Sequence, residues 1–266
     1  MEKDTEELRQ GNISKVTRNG NIVYRDLKPQ SSTVHRLLLH LENKGVTFTP
    51  RFLGVDENNQ EMLSFMEGDT IENYPCQKEL QSKSVTVQMA AKMLRVYHDA
   101  TLDFERCPED IWFLNYEGGL QKEVICHNDF APYNITFKDN KPVGMIDFDT
   151  VCPAPRIWDI AYAVYRFVPL SMEVYDPIRK KYRLYDKTLD CLERKSFINL
   201  FINTYGIGNS HEVLQNVIMR LQALVQLFDT ECGKGNSAFI KMKEEGHQQF
   251  YVNEIAFIQE NMSDWI

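Results

Sequence analysis

The stretch HNDFAPYN, residues 127–134, and the short hairpin that follows it limit this chain most. A proline interrupts the stretch and no hydrophobic period runs through it, so it is neither a core strand nor a helix. After Asn134, Ile135 and Phe137 alternate with polar residues, residues 138–142 are turn material, and a second strand runs up to Asp147. A hairpin symmetric about Asn140 and Lys141 sets Asn134 directly opposite Asp147, with Cβ atoms about 5 Å apart. An amide oxygen and a carboxylate at that separation can share one ion. Magnesium suits them, because it takes hard oxygen ligands, few from protein and the rest from phosphate and water. Asp129, five residues before Asn134, reaches the same mouth.

The spacing His-x-Asp-x-x-x-x-Asn, followed by a strand-end Asp, is that of kinase catalytic loops. In such loops the Asp accepts the proton of an attacking hydroxyl, while the Asn and the later Asp hold magnesium on nucleotide phosphates. The later motif here reads Asp147-Phe148-Asp149, with an acid where protein kinases carry glycine.

Around these motifs the periodicity predicts an α+β chain. Residues 8–25 read as a hairpin with Asn19-Gly20 as its two-residue turn. Val34, Leu37, Leu38 and Leu41 predict a helix over 32–44, capped by Ser31 or Ser32 and ended by Gly45. TPRFLGV and EMLSFM read as strands. A polar, turn-rich stretch near residue 67 marks the boundary between an α+β lobe, 1–67, and a mostly helical lobe, 68–266. Within the second lobe, 84–98 reads as a helix, 123–148 as strand, loop and hairpin, and 236–260 as one further helix. Val217, Leu221, Leu224, Val225 and Phe228 form an apolar stripe at helical spacing. His35, His98, Met89, Met93, Trp112 and Tyr116 read as packing or surface residues, and Glu231, Glu244 and Glu245 as solvated acids.

The totals exclude several classes. With 266 residues, 43% hydrophobic and 26% charged, the composition is that of a folded globular chain. A formal charge of −8 disfavours binding to nucleic acid or an anionic membrane and permits a cationic ligand. The six cysteines are scattered without CxxC or zinc spacing, which reads as reduced thiols in a cytoplasmic protein. The acidic start is not a signal peptide, and no run of about eighteen apolar residues exists.

The loop, the magnesium motif and the segment IDFDTVCPAPRIWDIAYA, residues 146–163, together resemble the aminoglycoside phosphotransferase family. That family shares a bilobal fold with choline kinases and protein kinases, and it includes a subgroup named for peptide-toxin immunity. The resemblance implies roles by position. Asp129 would be the catalytic base, Asn134 and Asp147 the magnesium ligands, and His127 a brace for the loop, helped by Asp159. Arg25 would bind phosphate, Gly11, Asn12 and Ser14 would cover the phosphates, and Ser64 and Met66 would offer backbone groups to adenine.

Three positions depart from the family pattern. Asn128 stands where glycine is frequent, Arg25 replaces a lysine, and the helix acid that pairs with that base is missing, Val34 or His35 falling at its place. The implied activity is magnesium-dependent transfer of phosphate from ATP or GTP to a small-molecule hydroxyl, an aminoglycoside-like cationic acceptor being one candidate. The alternatives are a non-catalytic toxin- or antibiotic-binding immunity protein on the same fold, or a metabolic kinase for an amino alcohol or sugar.

Overall fold

A computed structural model describes residues 6–11, 14–71, 83–176 and 178–266. The chain opens with strands β1 (Glu6–Gly11), β2 (Ser14–Asn19) and β3 (Ile22–Asp26). Asn19 pairs with Ile22, so the turn residues are Gly20 and Asn21, one position later than the Asn-Gly signal suggests. Helix α1 (Ser31–Asn43) follows, then β4 (Phe52–Val55) and β5 (Gln60–Ser64). The five strands form one antiparallel sheet in the order β1-β2-β3-β5-β4.

Val34, Leu37, Leu38 and Leu41 of α1 are all buried, each worth about 2 kcal/mol of apolar burial. Neither Ser31 nor Ser32 caps this helix. Gln30 is the cap residue, and Ser31 Oγ instead accepts the Lys28 backbone N–H at 2.9 Å, tightening the turn into the helix.

The remainder is larger and mostly helical. Helix α2 (Lys83–Ala100) leads to β6 (Val124–Cys126), the hairpin β7 (Ile135–Lys138) and β8 (Lys141–Met145), and β9 (Cys152–Ala154), which pairs with β6. Then come α3 (Arg156–Phe167), the hairpin β10 (Glu173–Asp176) and β11 (Lys181–Leu184), and helices α4 (Lys187–Tyr205), α5 (Ser210–Gly233), α6 (Ser237–Glu244) and α7 (His247–Asn261). α2 packs on α4, and α5 packs on both α3 and α7. The stretch 236–260 is therefore two helices. Gly246, at φ +89°, turns the chain between them in a conformation that side-chain-bearing residues rarely adopt. Val217, Leu221 and Phe228 are buried along α5. Glu231 is buried as well, not solvated. It accepts from Lys234 Nζ and Asn236 Nδ2 at the turn into α6.

Where the chain leaves the sheet it crosses β7. Asp69 bridges to Phe137, and a Cβ on Gly68 would lie 2.7 Å from the Phe137 carbonyl oxygen. Only glycine permits that approach at φ +114°. This β-rich part and larger helical part make the bilobal, protein-kinase-like arrangement. Among the described residues no helix is long and apolar enough to cross a membrane, and the described cysteines are free thiols.

Candidate active site

The loop after β6 is anchored from beneath by Asp159, in the first turn of α3. Its carboxylate has no exposed surface and accepts the backbone N–H groups of His127 (2.7 Å) and Asn128 (2.8 Å). His98 Nε2 meets it at 3.0 Å, and His98 Nδ1 meets the Tyr205 hydroxyl at 2.7 Å. Burial alone would raise the Asp159 pKa. The His98 hydrogen bond, the two histidines and the His127 N–H outweigh burial and hold it below the usual carboxylate range. His98 is thus a buried strut between α2, α3 and α4, not a helix-surface residue. Cys126 Sγ lies near these groups, but it points to the Pro155 carbonyl, and burial pushes its thiol well up. This cluster is a structural knot whose polar atoms are already engaged.

His127 is fully buried. Its Nε2 faces the Ile146 carbonyl oxygen at 3.0 Å and its Nδ1 accepts the Asp129 N–H at 3.3 Å, so one ring joins the loop to the strand after β8. Burial lowers its pKa, the nearby carboxylates opposing. Asn128 occupies the left-handed region at φ +64°, which accounts for glycine being acceptable there. Its side-chain amide donates to the Thr150 carbonyl at 2.8 Å, a bond glycine cannot make.

Asp129 and Asn134 meet directly, Asn134 Nδ2 donating to Asp129 Oδ2 at 2.8 Å and to the Asp129 carbonyl at 3.0 Å. Tyr133 donates its hydroxyl to Asp129 Oδ1 at 2.5 Å. The expected opposition of Asn134 and Asp147 does not hold. The turn falls at Asp139 and Asn140, an irregularity lies between Thr136 and Phe137, and Ile146 N–H bonds to Asn134 O, so Ile146 is the residue facing Asn134. Asp147 is one residue further, at φ +61°, which turns it out of the strand line.

Asp147 and Asp149 are neighbouring carboxylates. Burial in the mouth and the charge of Asp149 raise the Asp147 pKa, Arg25 only partly offsetting them. Since 49% of the Asp147 side chain stays open, the charge of Asp149 is the firmer cause. Asp149 is shifted the other way: burial opposes its charge, but Arg25 and Lys28 hold it ionised. A carboxylate short of positive charge is a donor that fits a hard divalent cation, and Asn134, whose Nδ2 is engaged with Asp129, keeps its amide oxygen as a second hard donor.

Arg25 reaches this mouth from β3. Its Nη2 is 2.8 Å from Asp149 and its Nη1 3.8 Å from Asp147, while Nε donates to Glu61 at 2.5 Å. Lys28 Nζ binds Asp149 at 2.5 Å. Glu61, with no exposed surface, also meets His35 Nε2 at 2.6 Å. The missing helix acid is therefore replaced by an acid from β5, with His35 of α1 as its second partner. Glu61, Lys28 and Tyr133 were not singled out by sequence. For Glu61 a signal existed: it alternates with Leu63 on the buried side of β5.

The remaining candidates lie nearby. Gly11 pairs with Ser14 across the β1–β2 turn, and Asn12 lies outside the described residues. The Ser64 N–H is held by the Arg51 carbonyl at 2.9 Å, so that donor is not offered to adenine. The Met66 methyl lies 2.9 Å from where a Cβ on Gly144 would be, so Met66 packs against β8.

A two-lobed fold with this loop and hairpin defines a kinase-like protein. The chain belongs to the phosphotransferase enzyme family, whose model matches residues 104–191. It is 33% identical over 203 residues, 74% of this chain and 72% of the relative, to the trifolitoxin immunity protein of Rhizobium leguminosarum bv. trifolii. The structure resembles the ethanolamine kinase of Plasmodium vivax (TM-score 0.59, 13% identity, 95% of this chain and 82% of that one). It also resembles the gentamicin complex of APH(2")-IIa (TM-score 0.54, 13% identity, 99% and 93%).

Proposed function

We propose that the protein is a cytoplasmic kinase that transfers the γ-phosphoryl group of ATP or GTP to a hydroxyl of a small molecule. The observation that carries this is the convergence of Asp129 and Asn134 on one loop with Asp147 and Asp149 after β8, faced by Arg25 from β3. The nucleotide would bind in the lobe of residues 1–67 and the acceptor against residues 68–266. Arg25 and the turn at Gly11 to Ser14 would face the phosphates, and Met66 the adenine. Asn134 and Asp147 would hold magnesium, which neutralises phosphate charge when bound. The acceptor oxygen attacks the γ-phosphorus, the bond to the β-phosphate oxygen breaks, and the hydroxyl proton passes to Asp129. His127 and Asp159 keep that carboxylate in place. Catalysis is then positioning and charge neutralisation, with no covalent intermediate.

The immunity protein among its relatives supports a second reading, in which the chain protects a cell by holding a toxin without modifying it. Asp129→Asn separates the two. Asn keeps the size and cannot take the proton, so Mg-nucleotide affinity should be unchanged while kcat falls about 10²-fold or more. Full protection by this variant, with the compound still bound, would establish sequestration and overturn the kinase reading.

A further inference from the structure

Beside Asp129 stands a group of residues, Tyr133, Tyr162, Arg166 and Arg220, that the proposed transfer step does not use. Asp159, Tyr162 and Arg166 lie at i, i+3 and i+7 on α3, so they share the face turned to the catalytic loop. The Tyr162 hydroxyl is 2.9 Å from that of Tyr133, which itself donates to Asp129. The Arg166 guanidinium lies 5.1 Å from the Tyr133 ring and 5.7 Å from that of Tyr165. From α5, Arg220 packs 4.9 Å from the Tyr162 ring and gives one N–H to the Asn128 carbonyl.

Two cations thus border the candidate base, and among the described residues neither pairs with a carboxylate. Both have a buried Nε–H without a partner. The nearby acid Glu254 does not serve them, since its oxygens accept from Tyr165, Ser171 and the Met172 N–H. Aromatic rings satisfy a guanidinium only in part. They cover its faces, whereas its five N–H groups point outward in the plane. A largely buried arginine whose Nε–H lacks a partner is suited to a planar, bidentate anion. This local charge runs against the whole-chain value of −8, which by itself permitted a cationic ligand.

We propose that the acceptor is a hydroxyl compound bearing a carboxylate, gripped edge-on by Arg166 so that its hydroxyl lies at Asp129, and not a polycation. The proposal rests on the kinase reading for the role of Asp129. The carboxylate stays unchanged through the reaction: only the hydroxyl loses its proton and gains the phosphoryl group, and the nucleoside diphosphate leaves.

The test uses the full chain with magnesium and ATP or GTP, and a panel matched in skeleton: hydroxy acids such as N-acetylserine, their primary amides, the corresponding amino alcohols, and gentamicin. Binding is read by calorimetry with a non-hydrolysable nucleotide present, and transfer by mass spectrometry of the product. Hydroxy acids should bind at least tenfold more tightly than their amides. Arg166→Gln should erase that difference, Arg166→Lys should restore part of it, and nucleotide affinity, measured in the same variants, reports that the fold is intact. Preference for amines or gentamicin, no hydroxy acid bound better than its amide, or an Arg166→Gln loss equal for acid and amide would each overturn the proposal. Hydroxy acids that bind through Arg166 but never receive phosphate would leave it standing and overturn the kinase reading instead.

Discussion

Glu61 and Arg25 are directly opposed in the β3–β5 register, and their side chains meet at 2.5 Å in the interior of the sheet's inner face. Removing the acid leaves a buried guanidinium and His35 without their shared partner. Glu61→Ala should therefore cost about 3–5 kcal/mol, the range for breaking a buried ion pair from one side. Glu61→Gln, which keeps the shape and one acceptor, should cost less and weaken nucleotide binding by loosening Arg25. Denaturant unfolding checks the first outcome and calorimetry the second. A loss in Glu61→Ala below about 1 kcal/mol, the level of a surface pair, would show that Asp149 alone holds Arg25.

Asn128 combines a left-handed backbone with a side-chain bond to Thr150. Asn128→Ala should lose about 1–2 kcal/mol for the backbone alone, with the lost hydrogen bond added. Asn128→Gly relieves the backbone and loses only the bond. The ordering wild type, Gly, Ala in unfolding midpoint is expected, and Ala at or above Gly contradicts it.

Asp147 holds a carboxylate beside Asp149 with too little positive charge around it. A ligand that binds only the folded state raises its stability by mass action. Magnesium with ATP should raise the melting temperature of the wild type more than that of Asp147→Ala. An equal rise in both proteins would place the metal elsewhere.

Acid should destabilise the protein in two stages. The pKa of His127 is depressed by burial, so its contribution is fully present above the unfolded value of about 6.5 and is lost as pH falls below it. Asp159 is depressed from an unfolded value of about 3.9, so its contribution lasts to lower pH and is lost only in stronger acid. Asp147 acts the other way: its carboxyl, raised to about 7, favours the folded state more as pH falls over the same range. In Asp147→Ala, which lacks that opposing group, the unfolding midpoint should decline from about pH 6.5 downward, and adding His127→Gln should flatten the decline. A midpoint constant to about pH 5 in Asp147→Ala, or an unchanged decline in the double variant, would contradict this account.

What the sequence determined by itself is what is local. The loop 127–134, the hairpin to Asp147 and the acid at Asp159 lie within about one supersecondary unit. Spacing along a strand or helix determines which side chains share a face. The same logic made α1 legible from Val34 to Leu41. It erred by one residue, from Asp147 to Ile146, because the β7–β8 turn falls one position earlier than expected and the irregularity between Thr136 and Phe137 makes up only half of the resulting shift. A strand's pairing depends on turn geometry as well as pattern. The tertiary structure alone decided the partners. Arg25 meets Glu61 across 36 positions and Asp149 across 124, and His98 reaches Asp159 across 61. No periodicity connects those pairs. Buried polar groups take whatever partner the docking of β3 on β5, or of α2 on α3, brings within reach, since leaving them unpaired in the interior costs more than any local preference can repay.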